Sequence, residues 1–177
     1  MRAAGDHRLI VVSGLPASGK STVGAALADR LGVALIDKDD ILESLFDALG
    51  CEDDVQRRRL SRAADEVLVR VAARAGSAIL VNWWDVDVID RIRAIGSPMV
   101  EVRCSCPPEV AAARFARRWR HSGHLDTREG TQARADRAAL FDMPPLDFGL
   151  DGGKLVVDTT SAVDVDRLIG QLGEVSG

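Results

Sequence analysis

The stretch from Leu9 to Thr22 constrains this chain more than any other, because it joins an apolar run to a glycine loop and a helical pattern. The run Leu9–Val12 is short and partly β-branched, which predicts a strand buried on both faces. Residues 14–21, GLPASGKS, match the pattern G-x-x-x-x-G-K-[ST] at every fixed position. Residues 23–31 follow with apolar side chains at helical spacing and three helix-favouring alanines. Strand, glycine loop and helix in this order predict a binding site for a nucleoside triphosphate.

The residue types in this loop suit phosphate chemistry. Gly14 and Gly19 let the backbone curl, so that successive N–H groups point into one concavity. The helix that begins near Lys20 adds unpaired N–H groups and the positive end of its dipole. Lys20 can reach the β- and γ-phosphate oxygens, and the Ser21 hydroxyl can bind Mg²⁺. The predicted ATP-binding residues of this segment are Gly14, Ala17, Ser18, Gly19, Lys20, Ser21 and Thr22.

Bulk properties restrict the partners and the compartment. A length of 177 residues predicts a single domain over 1–177. The net charge of −4 and the pI near 5.4 argue against a nucleic-acid surface. No apolar run approaches the roughly 18 residues that span a bilayer, and no signal-type segment is visible. Cys51, Cys104 and Cys106 contain no C-x-x-C pair, and Cys104 and Cys106 fall on one face of a likely strand, so we expect these two to act as small apolar residues in the reducing cytoplasm. The protein is expected to be a monomer or a homodimer.

Four more apolar runs follow the first and predict strands at 33–36, 78–81, 98–104 and 155–157. Helical patterns alternate with them and predict helices at 41–49, 54–75, 86–95, 107–120, 131–141 and up to residue 172. Asp39 or Asp40 is expected to cap the helix at 41–49, and residues 158–161 the last helix. Short apolar strands that alternate with helices are typical of a parallel sheet covered on both faces.

The ends of the predicted strands are polar at four of five positions. Besides the glycine loop, the strands run into residues 37–40, 82–85, 104–107 and 158–161. Ligands of parallel α/β sheets bind beyond the carboxyl ends of the strands. The sequence therefore predicts one site along that edge of the sheet.

These motifs resemble the small P-loop kinases around shikimate kinase, gluconate kinase, chloramphenicol phosphotransferase, the zeta toxins and the kinase half of polynucleotide kinase. The likeness rests on the glycine loop, the D-x-D-D of residues 37–40, the proline-opened helix with its arginines, and the D-T-T of residues 158–160. It implies a three-layer α/β P-loop NTPase fold with a five-stranded parallel sheet of order 2-3-1-4-5. It also implies a helical lid over about 114–130 and an adenine pocket at Asp158, Thr159 and Thr160.

The resemblance also assigns the carboxylate beside the acceptor. A kinase that phosphorylates a hydroxyl needs a carboxylate to orient it and take its proton. The resemblance assigns this role to Asp39, and the alternative is that Asp39 only caps a helix. The third strand of these kinases often ends in a carboxylate, whereas this chain has Asn82. Mg²⁺ must then depend on Ser21, water and Asp37.

Arginines and histidines follow the fourth strand. Arg114 and Arg118 lie four residues apart in a helical pattern, so both can reach phosphate oxygens. Arg117 and Arg120 should point elsewhere around the helix unless the lid loop bends. A solvated arginine face is the alternative. The group His121, His124 and Asp126 is expected to make lid contacts rather than bind zinc, because structural zinc requires four ligands.

Trp83 and Trp84 adjoin the predicted acceptor site. Neighbouring residues on a strand end face opposite ways, so one indole is expected to pack inward and the other to line the pocket. The alternative is that both are core residues. An exposed indole would favour a planar or apolar acceptor over a sugar acid.

The sequence thus predicts an ATP- and Mg²⁺-dependent kinase that transfers the γ-phosphoryl group to a hydroxyl of a nucleoside-like or antibiotic-like small molecule. The alternatives are a polynucleotide 5′-hydroxyl kinase, which the acidic pI disfavours, and a non-catalytic nucleotide-binding regulator, which would not need Asp39 or the arginines. The predicted catalytic residues are Lys20, Asp39 and Arg118. The predicted acceptor-binding residues are Asp37, Asp39, Asn82, Trp83 and Trp84.

Overall fold

A five-stranded parallel sheet is the frame of the molecule. The structure is a computed structural model that describes residues 8–124, 141 and 146–174. The strands are β1 (Leu9–Ser13), β2 (Ala34–Asp37), β3 (Ala78–Val81), β4 (Met99–Ser105) and β5 (Lys154–Asp158). Their order in the sheet is β2-β3-β1-β4-β5, with β1 paired to β3 and β4. This confirms the fold that the resemblance implied.

Six helices connect the strands within the part of the chain that the structure describes. They are α1 (Lys20–Leu31), α2 (Lys38–Leu49), α3 (Asp54–Ala75), α4 (Val86–Arg93), α5 (Pro108–Arg117) and α6 (Val165–Glu174). Most of them begin and end within a few residues of the predicted bounds. The helix predicted at 131–141 lies outside the described residues except for Phe141. Among the described helices, none combines the length and the apolar character that a membrane span requires.

Alternate side chains of the central strand β1 enter two different cores. Leu9 and Val11 pack with residues of α3 and α4, such as Leu68 and Ile89. Ile10 and Val12 pack on the opposite face with residues of α1 and α6. Because both faces are covered, every residue of β1 is buried, and its first four residues form a continuous apolar run. The two cores hold the carboxyl ends of the strands at one edge, where the site is built.

Two predicted helix caps are wrong. α2 begins directly after β2, and the Asp37 carboxylate accepts the N–H of Asp39 at 3.0 Å. Asp37 is therefore the cap, and Asp39 lies inside the first turn. α6 begins later than predicted, and the Asp164 carboxylate accepts the N–H of Arg167 at 3.0 Å. Residues 158–160 instead form a turn in which the Thr160 N–H is donated to Asp158 at 2.8 Å.

The chain leaves helical geometry earlier than predicted after β4. α5 ends at Arg117, and Arg118 is extended, with φ −79° and ψ 141°. The following residues lie along α2, where His121 Nε2 is 3.1 Å from an Asp47 oxygen and His124 Nε2 is 2.7 Å from a Glu43 oxygen. These are the contacts of the segment that the sequence predicted as part of a lid. Its continuation, including Asp126, lies outside the described residues.

Candidate active site

A cavity of about 860 Å³ at the carboxyl edge of the sheet brings most of the predicted site residues together. Its walls come from the glycine loop, the starts of α1 and α2, the end of β3, the end of α5 and the turn after β5. The predicted residues that line it are Ala17, Gly19, Lys20, Ser21, Thr22, Asp37, Asp39, Asn82, Trp83, Arg114, Arg118, Thr159 and Thr160. Four predicted residues lie outside its lining, namely Gly14, Ser18, Trp84 and Asp158.

The glycine loop has backbone angles that suit a phosphate cradle. Gly14 has φ +136°, and a Cβ at that position would lie 2.4 Å from the carbonyl oxygen of Cys104. Gly19 has φ +95° and precedes α1, which has no side-chain cap. Ala17 has φ 59° and is the one non-glycine residue with a positive φ in the described part of the chain. Such strain is concentrated at functional loops, and here it shapes the turn that leads into α1.

Lys20 is held inside the loop. Its Nζ donates to the carbonyl oxygens of Gly14 at 3.0 Å and Leu15 at 2.9 Å. Burial, with a smaller contribution from the neighbouring Arg118, lowers the pKa of Lys20 to about 8, while Asp39 opposes the shift. A buried ammonium group in this position gains most from an anionic ligand.

Ser21 and Asp37 form a pair of oxygen donors next to this lysine. The Ser21 hydroxyl donates to Asp37 Oδ2 at 2.7 Å. Burial raises the pKa of Asp37 to about 6, and the hydrogen bonds from Ser21 and from the Asp39 N–H oppose that rise. Hydroxyl and carboxylate oxygens are the ligands that Mg²⁺ prefers, and Mg²⁺ usually keeps waters and substrate phosphates as its other ligands. Within residues 8–124, 141 and 146–174, no group of three or more His, Cys, Asp or Glu could hold a metal.

Asp39 shares the cavity with the glycine loop and faces a residue that the sequence analysis missed. Arg120 Nη1 lies 3.5 Å from Asp39 Oδ2, and both residues line the cavity. Arg120 does not follow the helical direction expected for it, because α5 ends at Arg117 and the chain bends, as the alternative of a bent lid loop allowed. Gly123 signals a break in the helical pattern, but it does not give the direction of the chain after the break.

The other two arginines line the same wall. Arg114 donates through Nη2 to the Thr160 carbonyl at 2.9 Å, which joins α5 to the turn after β5. The guanidinium of Arg118 lies 4.7 Å from the ring centroid of Phe115, and that of Arg120 lies 5.7 Å from the same ring. Thr159 is fixed to the end of β4 by its hydroxyl, which donates to the Ser105 carbonyl at 3.0 Å. Three guanidinium groups therefore line one side of the cavity.

The two tryptophans separate as the alternation of a strand end predicts. Trp84 is buried in the core, and its Nε1 donates to the Val12 carbonyl at 2.7 Å. Trp83 is 39% exposed and lines the main cavity, where the Lys20 ammonium lies 5.8 Å from its ring centroid. A second cavity of about 270 Å³ adjoins Trp83 and is also lined by Trp84 and Phe148. Trp83 is thus common to both cavities.

Asn82 is held by two residues that the sequence analysis did not select. Its Nδ2 donates to Asp65 Oδ1 at 3.0 Å, and Asp65 Oδ2 accepts from Lys38 Nζ at 2.8 Å. Asp65 follows Ala64 on the buried side of α3. A carboxylate at a buried helix position is the sequence signal that could have identified it.

Comparisons with known proteins agree with this architecture. A family model described as an AAA domain matches residues 9–142. A candidate kinase from Chloroflexus aurantiacus J-10-fl is 30% identical, with a TM-score of 0.79 over 94% of this chain and 97% of that chain. No curated protein matches the chain.

Two more distant structures share the fold. A gluconokinase from Sinorhizobium meliloti 1021 is 18% identical, with a TM-score of 0.63 over 96% of this chain and 94% of that chain. A shikimate kinase from Bacteroides thetaiotaomicron is 16% identical, with a TM-score of 0.57 over 94% and 97%. The chain therefore has the length and fold of small P-loop kinases.

Proposed function

The chain belongs to the AAA domain family, and from this premise we propose that it is an ATP- and Mg²⁺-dependent kinase that phosphorylates a hydroxyl of a small molecule. One observation carries the proposal: Asp39 lines the same cavity as Lys20 and the Ser21–Asp37 pair. A carboxylate next to a phosphate cradle is the arrangement that phosphoryl transfer to a hydroxyl needs. A regulator that only binds nucleotide has no use for such a carboxylate.

The glycine loop and α1 are proposed to hold the phosphates of ATP. Lys20 now donates to two loop carbonyls, and it would exchange these bonds for phosphate oxygens when nucleotide binds. The first turn of α1 contributes N–H groups and dipole. Thr159 and Thr160 are proposed to bound the adenine pocket, since both line the cavity beside Arg114. Asp158 lies outside the cavity lining, so its proposed part is to hold the turn through the Thr160 N–H.

Ser21 and Asp37 are proposed to hold Mg²⁺. Their oxygens are already paired at 2.7 Å, and both residues line the cavity. When bound there, Mg²⁺ neutralises the charge that develops on the transferred phosphoryl group. Asp37 must lose its proton to serve as a ligand, so its raised pKa sets the pH below which the site weakens.

Asp39 is proposed to orient the acceptor hydroxyl and to take its proton. Its position in the first turn of α2, next to the cap residue Asp37, fixes its backbone. Arg114 and Arg118 are proposed to stabilise the charge on the transferred group, with Arg118 supported by the ring of Phe115. Arg120 contacts Asp39 directly, and we place it with Arg114 and Arg118 on the side of the cavity where the acceptor binds. The segment 114–130 is proposed as a lid, of which residues 114–124 are described.

The acceptor is proposed to be nucleoside-like or antibiotic-like. Trp83 offers an exposed indole face in the main cavity and also lines the smaller cavity, together with Trp84 and Phe148. Aromatic faces bind planar or apolar groups better than they bind the carboxylate of a sugar acid. ATP and a small hydroxyl compound are therefore the proposed partners.

The experiment is a screen of hydroxyl compounds for ADP release and phosphorylated product, repeated with Asp39→Asn on the best acceptor. We expect turnover to fall by at least about a hundredfold, with nucleotide affinity nearly unchanged, because the variant keeps its shape but cannot take the proton. Asp40→Asn is the matched control, since Asp40 is the next residue, is exposed and does not line the cavity. Near-wild-type turnover of Asp39→Asn would return Asp39 to a structural role.

A further inference from the structure

A buried chain of hydrogen bonds runs from α2 through α3 to the end of β3. Lys38 Nζ donates to Asp65 Oδ2 at 2.8 Å, and Asn82 Nδ2 donates to Asp65 Oδ1 at 3.0 Å. We infer that Lys38 and Asp65 hold the Asn82 amide in one orientation, so that its Oδ1 accepts a hydrogen bond from an O–H group of the bound substrates. Asn82 is then a substrate-contacting residue, and Asp65 and Lys38 are positioning residues. The inference rests on the proposed function where that O–H group belongs to the acceptor.

The chemistry of Asp65 decides the orientation of the amide. An ionised carboxylate only accepts hydrogen bonds, and an asparagine has donors on its nitrogen alone. Asp65 must therefore accept its hydrogen bond from Asn82 Nδ2, so the Asn82 Oδ1 is the end of the amide that does not contact Asp65. Lys38 supplies the positive charge that balances Asp65, and both side chains are largely buried, at 14% and 11% exposure. Rotating the amide would place its oxygen against the carboxylate, which repels it.

The free end of the amide indicates what it binds. Asn82 is 3% exposed and lines the main cavity, and its Oδ1 has no hydrogen-bond partner among the described residues. Leaving a buried carbonyl oxygen without a donor costs free energy, so such an atom next to a cavity indicates a donor from the ligand. Phosphate oxygens are acceptors and cannot fill this role. The ligand group must be a hydrogen-bond donor, and the proposed function places hydroxyl and water O–H donors at this edge of the sheet.

Two sources of that group are compatible with the position of Asn82. Val81 pairs with Asp37 across β3 and β2, so Asn82 follows the residue that adjoins the proposed Mg²⁺ ligand. A water bound to Mg²⁺ could donate there, and so could the acceptor hydroxyl that Asp39 is proposed to orient. Both present the same chemistry to Oδ1, and they differ in whether the acceptor KM or the Mg²⁺ dependence of nucleotide binding responds to loss of the amide.

The experiment first changes Asn82 and Asp65 singly and then exchanges their residue types. Asn82→Ala removes the amide, and Asn82→Asp places two carboxylates in contact. Asp65→Asn leaves a single oxygen to accept from both Lys38 and Asn82. The double variant Asn82→Asp with Asp65→Asn restores the pair with reversed roles. The amide introduced at position 65 donates to the carboxylate introduced at position 82, and the oxygen of that amide accepts from Lys38. Each variant is compared with wild type in three measurements. These are thermal unfolding, calorimetric binding of a non-hydrolysable ATP analogue over a Mg²⁺ titration, and acceptor kinetics. Asp87→Asn, at an exposed aspartate, is the control.

We expect Asn82→Ala and Asn82→Asp to weaken one of the two binding events by about 5- to 150-fold, the range for an unmade buried hydrogen bond. The double variant should recover most of that loss. If only the acceptor KM rises, the O–H belongs to the acceptor. If nucleotide binding instead needs a higher Mg²⁺ concentration than in wild type, the O–H belongs to a metal-bound water. A merely structural pair would shift the unfolding midpoint without either change.

Two results would overturn the inference. One is an Asn82→Ala variant equal to wild type in every binding measurement. The other is a double variant that regains the wild-type unfolding midpoint but binds as weakly as Asn82→Asp. A wild-type protein that phosphorylates no compound in the screen rejects the kinase proposal instead, and the Mg²⁺ titration then decides the inference alone.

Discussion

At the scale of single residues, Lys20 is fixed by two hydrogen bonds although burial destabilises its charged form. It is held in place by loop carbonyls, yet burial lowers its pKa to about 8, so its charge is costly until an anion binds. Lys20→Ala should therefore reduce phosphoryl transfer by at least about a hundredfold. The free energy of unfolding should change by no more than about 1 kcal/mol. Stopped assays at saturating ATP and chemical denaturation measure the two effects.

The matched control for that variant is Lys154→Ala, which removes a lysine from β5 whose partner is the exposed Asp147. Its turnover should equal that of wild type. Near-wild-type transfer by Lys20→Ala would contradict the assignment of the glycine loop as the phosphate site.

Asp37 makes the site dependent on pH. Burial raises its pKa from 3.8 to about 6, so between these values the folded protein holds a proton that the unfolded chain releases. The folded protein is therefore favoured where Asp37 is protonated, below about pH 4, and this contribution to the free energy of unfolding is lost as the pH rises through about 6. Asp37→Asn should therefore be more stable than wild type at pH 8 by about 1–3 kcal/mol, with the gain fading below pH 4. Denaturation at several pH values tests this.

The same substitution should weaken binding of Mg²⁺ with nucleotide, because an amide replaces the carboxylate ligand. In wild type, metal-dependent binding should fall as pH drops below about 6, since the proton competes with the metal. Asparagine can still accept the Asp39 N–H, so the cap of α2 is kept. An Asp37→Asn protein less stable than wild type at pH 8 would contradict the argument.

At the scale of elements, α2 supports the segment that follows α5. His124, which is 4% exposed, contacts Glu43 at 2.7 Å, and the ring of His121 meets that of Phe46 edge to face. Gly123 fits against Phe46, where a Cβ would lie 3.2 Å from the ring. Since these contacts lie next to Arg120, the docking of this segment places the arginine beside Asp39.

Glu43→Ala should loosen that docking. Loss of one partly buried hydrogen bond, about 1–2 kcal/mol, should speed amide exchange in residues 118–124 by about 5- to 30-fold. Exchange in β1 and β3 should not change. Glu52→Ala, at an exposed glutamate between α2 and α3, is the control. Equal exchange in both variants would mean that the glutamate does not hold the segment.

At the scale of the whole molecule, the two cores share the central sheet. Successive side chains of β1 enter opposite cores, so neither core can be lost while the strand remains ordered. We propose that the chain unfolds as one cooperative unit. Leu68→Ala in one core and Leu27→Ala in the other should each lower stability by about 2–5 kcal/mol.

Far-ultraviolet circular dichroism and tryptophan fluorescence should follow one transition in both variants, as expected for a single domain. Fluorescence reports partly on the buried Trp84, which belongs to the core containing Leu68. Separate transitions for the two variants would show that the cores unfold independently and would contradict the single-domain prediction.

Features that depend on neighbouring residues could be predicted from the sequence. The apolar runs became β1 to β5, and Gly14 and Gly19 have the positive φ values that the motif requires. The opposite placement of Trp83 and Trp84 followed from the alternation of side chains at a strand end. The strand order needed the resemblance in addition, because a strand pattern does not identify its neighbours in the sheet.

What the sequence by itself determined is therefore the set of elements, the glycine loop and the edge of the sheet at which polar residues meet. Only the tertiary structure decided that Asp37 caps α2, that Arg120 reaches Asp39, and that Asp65 orients Asn82. The physical reason is distance along the chain. Hydrogen-bond periods and side-chain alternation act over a few residues, whereas these contacts depend on where one element ends and which other element packs against it.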